Sequence, residues 1–542
     1  MRKTKYFLSH KNLLSSLSKQ FQSNVSLNSI SGVMSPDDID NSLKSEYCMS
    51  DLLHCESVEL ASTKDEVEIW AEAKINRTES RDDLKMITAF FVAVQHFLAI
   101  MITTDIAAES CSKHFCKTKL YFYLIFYGMT ALSTALQVLR DDRAIISFGC
   151  SLVLVHLEGI SFEQHHFACL VDEHTFNIDK IYVMISGLVL IVLSKTRLIK
   201  SVLRNMSPIT YVVVTINIVF IQSSYAFTNG NHHVLTFSVT ILTVFVSNIV
   251  LRNYSFKVLS MKLPFKKYSI LIAVAISSLY FQYFDRQDYS EIELTFSNEW
   301  NETIVYNVNS TEVDDSSKIP TSVRITSSIF LFLTAYILYL VNMQIYLLST
   351  NVTESHVQLD RSIGLAGIST IICGFFGSST IACSHSESVA LHGMLGSSSS
   401  TRKISGIMSL LFTVFFMMTS YNRGRLALFP QSVKAALILL MMAVLLGAVI
   451  SLLKYIDLEL VRNRIVLCVP IVVSLFMPTL ISTMDTPQNE AILCLVLFLK
   501  NGILLGFILS SFLTWMCPLP LACGEVNEWK EFVACHFSID KY

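Results

Sequence analysis

Long apolar runs alternate with short polar breaks along this chain, and the run lengths predict helices that cross a membrane, since roughly 20 apolar residues span ~30 Å of hydrocarbon. In the first half the runs cover residues 86–104, 120–139, 178–193, 209–222, 234–251 and 268–284. In the second they cover 325–348, 364–376, 404–418, 435–453, 465–482 and 492–515. Two stretches depart from the pattern. Residues 145–154 are short, apolar and glycine-containing. At 377–395 the hydrophobicity breaks at Gly377-Ser378-Ser379-Thr380, resumes in an extended-looking Ile381-Ala382-Cys383, and continues through Ser384-His385-Ser386-Glu387 into a second short helix. Non-helical backbone at membrane depth survives only where protein buries it or it lines a cavity. Half-helices that begin there present free N–H groups and a positive dipole end to a ligand.

Counted with the runs, each broken stretch is the third of seven elements in its half. The expectation is an all-α polytopic membrane protein of 14 transmembrane segments in two inverted repeats of seven, with short strands in segments 3 and 10. Residues 1–84 read as a polar, largely disordered cytoplasmic tail, with no apolar core of signal-peptide length behind its basic start. Residues 85–285 form the first repeat, 286–323 an extracellular loop, 324–516 the second repeat and 517–542 a cytoplasmic tail.

Positive charge sets the orientation. Arg140, Arg143, Lys195, Arg197, Lys200, Arg204, Lys266, Lys267, Arg402, Lys403, Lys454, Arg462 and Arg464 follow even-numbered segments, which places those loops and both termini in the cytoplasm of a cell-membrane protein. Arg423, Arg425 and Lys434 fall on the outer side, against the rule. The outer loop carries two N-x-T sequons, at Asn301 and Asn309, as glycosylation sites. Cys111 and Cys116 share an outer loop and leave open a disulfide with each other or with Cys169, or three thiols.

Composition narrows the function. A chain that is 52% hydrophobic and 15% charged is too apolar to be soluble, and its net charge of −2 offers no basic domain for nucleic acid. The thirteen cysteines contain no C-x-x-C pair, so neither a metal site nor a redox motif is indicated. No nucleophile and base set accompanies a cofactor signature, so an enzyme is not expected.

Five stretches resemble the nucleobase-ascorbate transporters (nucleobase:cation symporter-2 family), nearest the animal sodium-dependent vitamin C transporter branch as a divergent member. They are Val94-Gln95-His96-Phe97-Leu98, Gly149-Cys150-Ser151, residues 367–389, Tyr455-Ile456-Asp457-Leu458 with Arg462, Asn463 and Pro478, and Gly506-Phe507-Ile508-Leu509. The resemblance covers about residues 84–516. It implies a uracil-permease-like fold, in which a core of segments 1–4 and 8–11 moves against a gate built from the rest. It also implies symport of a nucleobase, urate or ascorbate with sodium or protons, no cofactor, and a homodimer.

The departures bear on substrate. Ser388, Ala390 and Leu395 replace the Asn, Gly and Thr of the family signature, and segment 8 lacks the family's acidic residue, leaving Asn342 and Gln344 as its strongly polar side chains. Two other readings therefore stay open: an anion or sulfate-type transporter of the same fold, and a transport-inactive membrane protein that binds or regulates. The short tail after Trp515 speaks against the anion carrier, because such carriers usually bear a folded domain there.

Candidate substrate-binding residues are Glu387, Ser388, Ser151, Leu152, His96, Gln95, Gln344 and Asn342. Glu387 accepts hydrogen bonds from a heterocycle in one reading; in the other it closes a capping box with Ser384 and only finishes a helix end. His96 is either a link between the moving parts or a satisfied core histidine, and His385 alternates to the far face of a regular strand. Ser151 and Leu152 would bind through backbone N–H groups, although a hydroxyl at a helix start is commonly a plain cap. Asp457 and Arg462 read as a structural ion pair.

Overall fold

Most of the apolar runs fold as helices, and the computed structural model places the two broken stretches against each other. It describes residues 82–115, 119–139, 148–150, 154, 173–196, 198–230, 233–251, 254–258, 261–285, 320–350, 359–378, 381–387, 389–390, 407, 410–415, 418, 430–484 and 489–517. The elements are α1 (Asp82–Phe115), α2 (Lys119–Leu139), β1 (Phe148–Cys150), α3 (Glu173–Lys195), α4 (Leu198–Asn205), α5 (Pro208–Gly230), α6 (Val234–Phe245), β2 (Ser255–Val258), β3 (Met261–Pro264) and α7 (Phe265–Tyr280), followed by α8 (Thr321–Thr350), α9 (Leu359–Phe375), β4 (Ala382–Ser384), α10 (Gln431–Leu453), α11 (Val461–Ser482), α12 (Glu490–Lys500) and α13 (Gly502–Met516). Within the described residues, Pro208–Thr228, Thr321–Tyr346, Gln431–Leu453 and Val461–Ser482 are long and apolar enough to cross a bilayer, and Ala93–Ala108, Val234–Val250, Tyr268–Phe284 and Arg361–Phe375 are shorter apolar helices. Phe476, Leu242, Phe415 and Trp515 lie more than half exposed, which suits a lipid-facing surface and no aqueous one.

The helices sort into two packing groups. In the first, α3 lies along α9, α2 joins α9 and β1, and α8 covers β4. Phe97, Leu98 and Met101 of α1 pack with Phe122, Phe126 and Tyr127 of α2 and so tie α1 to this group. In the second, α5 lies along α10, with α6 against α7 and α10, and α11 and α13 against α5. The α3/α9 crossing is close because both helices are bare of side chain where they meet. A Cβ on Gly367 would stand 2.7 Å from the Gly187 carbonyl oxygen, and one on Gly187 would stand 2.8 Å from that of Gly367. Small residues let membrane helices approach in this way.

Gly377 makes the break after α9. Its φ of 102° is left-handed. Its N–H bonds Gly374 O at 3.0 Å while Ser378 N–H bonds Cys373 O at 2.8 Å, the paired closure of a Schellman motif. The chain then runs extended, and β4 pairs antiparallel with β1, Phe148 opposite Ser384, Gly149 opposite Cys383 and Cys150 opposite Ala382.

Three sequence expectations change. The first run does not stop at residue 104, because α1 continues through Asp105 to Phe115. The run at 492–515 is not one helix: α12 and α13 meet at 82°. Asn501, at φ −84° and ψ 82°, leaves the helical region there and caps α13, its Oδ1 accepting from Leu504 N–H at 3.1 Å. Gly502 must follow, since a Cβ would come within 2.5 Å of Ser474 O. Finally, Arg462 gives its donors to Cys517 O, Thr514 O and Asn463 Oδ1, holding the end of α13 where an ion pair with Asp457 was expected.

Gly367→Ala should lower thermal stability by about 1–3 kcal/mol, because its Cβ meets backbone that cannot turn aside. Gly447→Ala, where a Cβ meets nothing within 4 Å, should leave stability unchanged or slightly raised. Thermal unfolding of the detergent-solubilised pair checks this, and equal melting temperatures would contradict the crossing geometry.

Candidate functional site

The strand after Gly377 delivers Ser384, His385, Ser386 and Glu387 in sequence to the middle of the protein, where all four are buried. Asn342 of α8 fixes the start of this segment. Its Nδ2 donates to Ser384 O at 3.1 Å and Ser384 Oγ at 2.9 Å, and its Oδ1 accepts from Ser386 Oγ at 3.1 Å. Cys383 Sγ reaches Ala335 O of the same helix at 3.6 Å. Asn342 therefore holds the backbone that carries the site.

Glu387 is bonded from the other packing group. Gln222 Nε2 of α5 donates to Glu387 Oε1 at 2.6 Å. The capping-box alternative does not describe this geometry, since the Ser384 hydroxyl bonds Asn342 and the Glu387 carboxyl bonds Gln222. His385 is not turned away either: its Nδ1 lies 4.0 Å from Glu387 Oε2. His96 of α1, also buried, is within electrostatic reach of His385. Four elements, α1, α5, α8 and the segment after β4, thus converge on one polar cluster.

Several polar atoms in the cluster are buried and lack a hydrogen-bond partner among the described residues. They are Glu387 Oε2, Gln222 Oε1 and both ring nitrogens of His385. Leaving such a group unsatisfied costs about 1–3 kcal/mol each. Acceptors on Glu387 and Gln222 beside an imidazole that can donate or accept match a small planar molecule with N–H or O–H donors next to a carbonyl.

The remaining sequence candidates fare differently. Gln95 is buried but turned along its own helix, its Nε2 donating to Phe91 O at 3.4 Å. Gln344 is two residues from Asn342, roughly 200° around an α-helix, so the rotation that aims Asn342 at Ser384 turns Gln344 from the same contact. Gln344 is buried, with both amide atoms unpartnered among the described residues. Ser151, Leu152 and Ser388 lie outside the described residues, although β1 ends at Cys150, directly before Ser151. Asn301, Asn309, Cys116 and Cys169 lie outside them too, and Cys111 is buried in α1.

Sequence reasoning missed three residues that the fold puts to use. Gln222 stood at the end of the run 209–222 and read as a boundary, whereas α5 continues to Gly230 and buries it. Asp105 read as loop because the apolar run stops before it. Lys434 read as an outer charge that broke the orientation rule, yet it is buried and ion-paired with Asp105. A single polar residue within or just beyond an apolar run was the available signal in each case.

The Glu387–Gln222 bond should show as coupling. Glu387→Ala and Gln222→Leu, singly and together, should give a double-mutant-cycle coupling of about 1–3 kcal/mol in thermal unfolding. Strict additivity would mean that the two side chains do not meet.

A model described as the Permease family matches residues 87–483. Comparison with curated protein sequences gives no significant match. Among solved structures, the chain is similar to "The overall structure of SLC26A9" (13% identity, 79% of this chain and 65% of that one, TM-score 0.45). It is also similar to the transmembrane domain of the cyanobacterial bicarbonate transporter BicA (10% identity, 80% and 97%, TM-score 0.41). A third likeness is to the murine Slc26a9 anion transporter in its inward-facing state (13% identity, 87% and 75%, TM-score 0.38). The chain spans just under two thirds of the length of the first of these structures.

Proposed function

Because the chain belongs to the nucleobase:cation symporter-2 permease family and is a multi-pass membrane transporter, we propose that it carries a nucleobase, urate or ascorbate by cation-coupled symport with alternating access. One observation carries this reading. The Glu387 carboxyl bridges the two packing groups through Gln222 while its second oxygen, Gln222 Oε1 and the His385 ring are buried with no hydrogen-bond partner among the described residues. A nucleobase lactam or the enediol of ascorbate presents donors and acceptors of the kind those atoms need. The antiparallel pairing of β1 with β4 supports two inverted repeats, because a two-fold axis between the halves runs equivalent strands in opposite directions. In this reading the coupling ion is sodium or a proton, both termini are cytoplasmic, the protein sits in the cell membrane, residues 286–323 are extracellular and glycosylated at Asn301 and Asn309, and two copies associate through the gate helices.

The mechanism follows from where the bond lies. A substrate that donates to Glu387 competes with Gln222 for the same carboxyl. Binding then weakens a contact between the two helix groups and shifts the balance toward the state in which they have moved. A donor-free inorganic anion such as sulfate fits less well, since it has no N–H or O–H to give the carboxylate, whereas urate and ascorbate keep such donors although they are anions.

Uptake of labelled ascorbate, xanthine, urate and uracil into expressing cells, with sodium present or replaced, tests the reading together with Glu387→Ala and Gln222→Leu. Expected is saturable uptake of one class, cut at least about tenfold in Glu387→Ala, the loss that accompanies about 1.4 kcal/mol of transition-state stabilisation. Surface-expressed protein that takes up none of the four would overturn it. Sulfate or bicarbonate uptake under the same conditions would point to the anion carrier, and uptake of neither class to a protein that binds or regulates.

A further inference from the structure

A second buried polar contact joins the helix groups, well away from Glu387. Asp105 of α1 and Lys434 of α10 form an ion pair with both side chains almost completely removed from solvent. Nine residues separate Asp105 from His96 on one continuous helix, which sets the pair roughly 13 Å along the axis and on the opposite helix face. It is therefore a separate feature from the Glu387 cluster.

The ammonium is badly placed by every local criterion except its partner. Lys434 is the fourth residue of α10, in the first turn, where the helix dipole is positive and disfavours a cation. Burial adds a desolvation cost, and an orphaned charge at such depth is strongly disfavoured. Asp105 has the same problem in the opposite sense. The carboxylate must have a cation beside it, and here the chain supplies one on a flexible four-carbon stem. The hydroxyls of Thr104, next to Asp105 in the chain, and of Ser432, two residues before Lys434, are buried and have no hydrogen-bond partner among the described residues, so unsatisfied oxygens lie close in sequence to both charges. The Tyr127 phenol, within electrostatic reach of Asp105, donates to Met101 O at 3.3 Å.

We infer that the Lys434 ammonium is a tethered cation seated at an alkali-cation site on Asp105, which takes a free sodium or potassium ion whenever the ammonium is absent or withdrawn. The reason is charge balance across a boundary that must move. When α10 slides past α1, Asp105 either follows Lys434 or receives a replacement charge, and only a small monovalent cation fits a site shaped around an ammonium. If the chain works as the carrier proposed above, its Asp105 site then needs no free cation while Lys434 is seated, and sodium acts there as a competitor of Lys434.

The test needs neither a substrate nor transport, so its failure leaves the carrier reading standing and failed uptake leaves this one standing. The purified full-length protein, Lys434→Met and Lys434→Met/Asp105→Asn are melted in detergent as sodium or potassium chloride replaces choline chloride at constant ionic strength. Lys434→Met is expected to be stabilised by the alkali salt, by about 2 °C or more, while the wild type and the double variant stay flat. A flat response from Lys434→Met, or the same response from the double variant, overturns the inference. So does a Lys434→Met protein that cannot be purified in sodium while the double variant can, because sodium has then failed to replace the ammonium. Stabilisation of Lys434→Met by acid alone, with no response to either alkali cation, also overturns it.

Discussion

The pairing of β1 with β4 is the contact on which the rest of the structure depends. Each broken segment releases backbone N–H and C=O groups inside an apolar protein, and in a bilayer no water is at hand to take them. Neither segment can satisfy its own. Three residues from each half, Phe148 to Cys150 and Ala382 to Ser384, satisfy one another across the centre. That requirement fixes the two halves face to face, and it orients everything that follows β4. Asn342 locks the register further by bonding both the backbone and the hydroxyl of Ser384, so the side chains of His385 and Glu387 have little freedom in where they emerge.

Against that rigid centre, polar contacts join the two helix groups. Gln222 to Glu387, Asn501 Nδ2 to Thr334 Oγ1 at 2.7 Å, and Lys434 to Asp105 each link one group to the other. Their strengths differ in kind. A neutral bond such as Asn501 to Thr334 is worth about 0.5–1.5 kcal/mol net, and one to a charged group about 1.5–3. Breaking a buried ion pair by loss of one partner costs about 3–5 kcal/mol. Of these three the ion pair is the costliest to break, and any movement between the groups must keep both charges compensated. Apolar packing between the groups slides at lower cost, because one hydrocarbon contact is exchanged for another.

Much of this architecture was legible in the chain. The runs named the helices because hydrophobicity over about twenty residues reports membrane depth directly, and the break at Gly377 was visible because glycine, serine and threonine together interrupt such a run. The bend at Asn501 was not, since one Asn-Gly pair inside an apolar stretch barely lowers its average, and what makes the bend necessary is Ser474 O pressing on Gly502 from another helix. Glu387 was legible as a candidate from its place after the break. Gln222 was not, because its role comes from a partner 165 positions away, and a single glutamine near the end of a run looks like the run's edge. Asn342 was named as a strongly polar residue of segment 8 and a candidate substrate contact, but its Nδ2 donates to the Ser384 carbonyl and hydroxyl, and helical rotation separates it from Gln344.

Asp105 and Lys434 show the limit most clearly. Each alone reads as a surface charge, one just past a span and one just before another, and counting charges for orientation treats them so. Only when two helices are packed does each become the other's reason for being buried. The same logic applies to the Glu387 cluster, whose unpartnered atoms are costly unless something completes them. A molecule that keeps one buried charge pair closed and one buried hydrogen-bonding cluster incomplete concentrates its adjustable free energy at those two places. The first resists separation of the helix groups and the second rewards an incoming ligand. In the carrier proposed above, a ligand that competes for Glu387 relieves unsatisfied atoms and loosens the Gln222 contact in a single step, while the Asp105–Lys434 pair and the Asn501–Thr334 bond still hold the groups together.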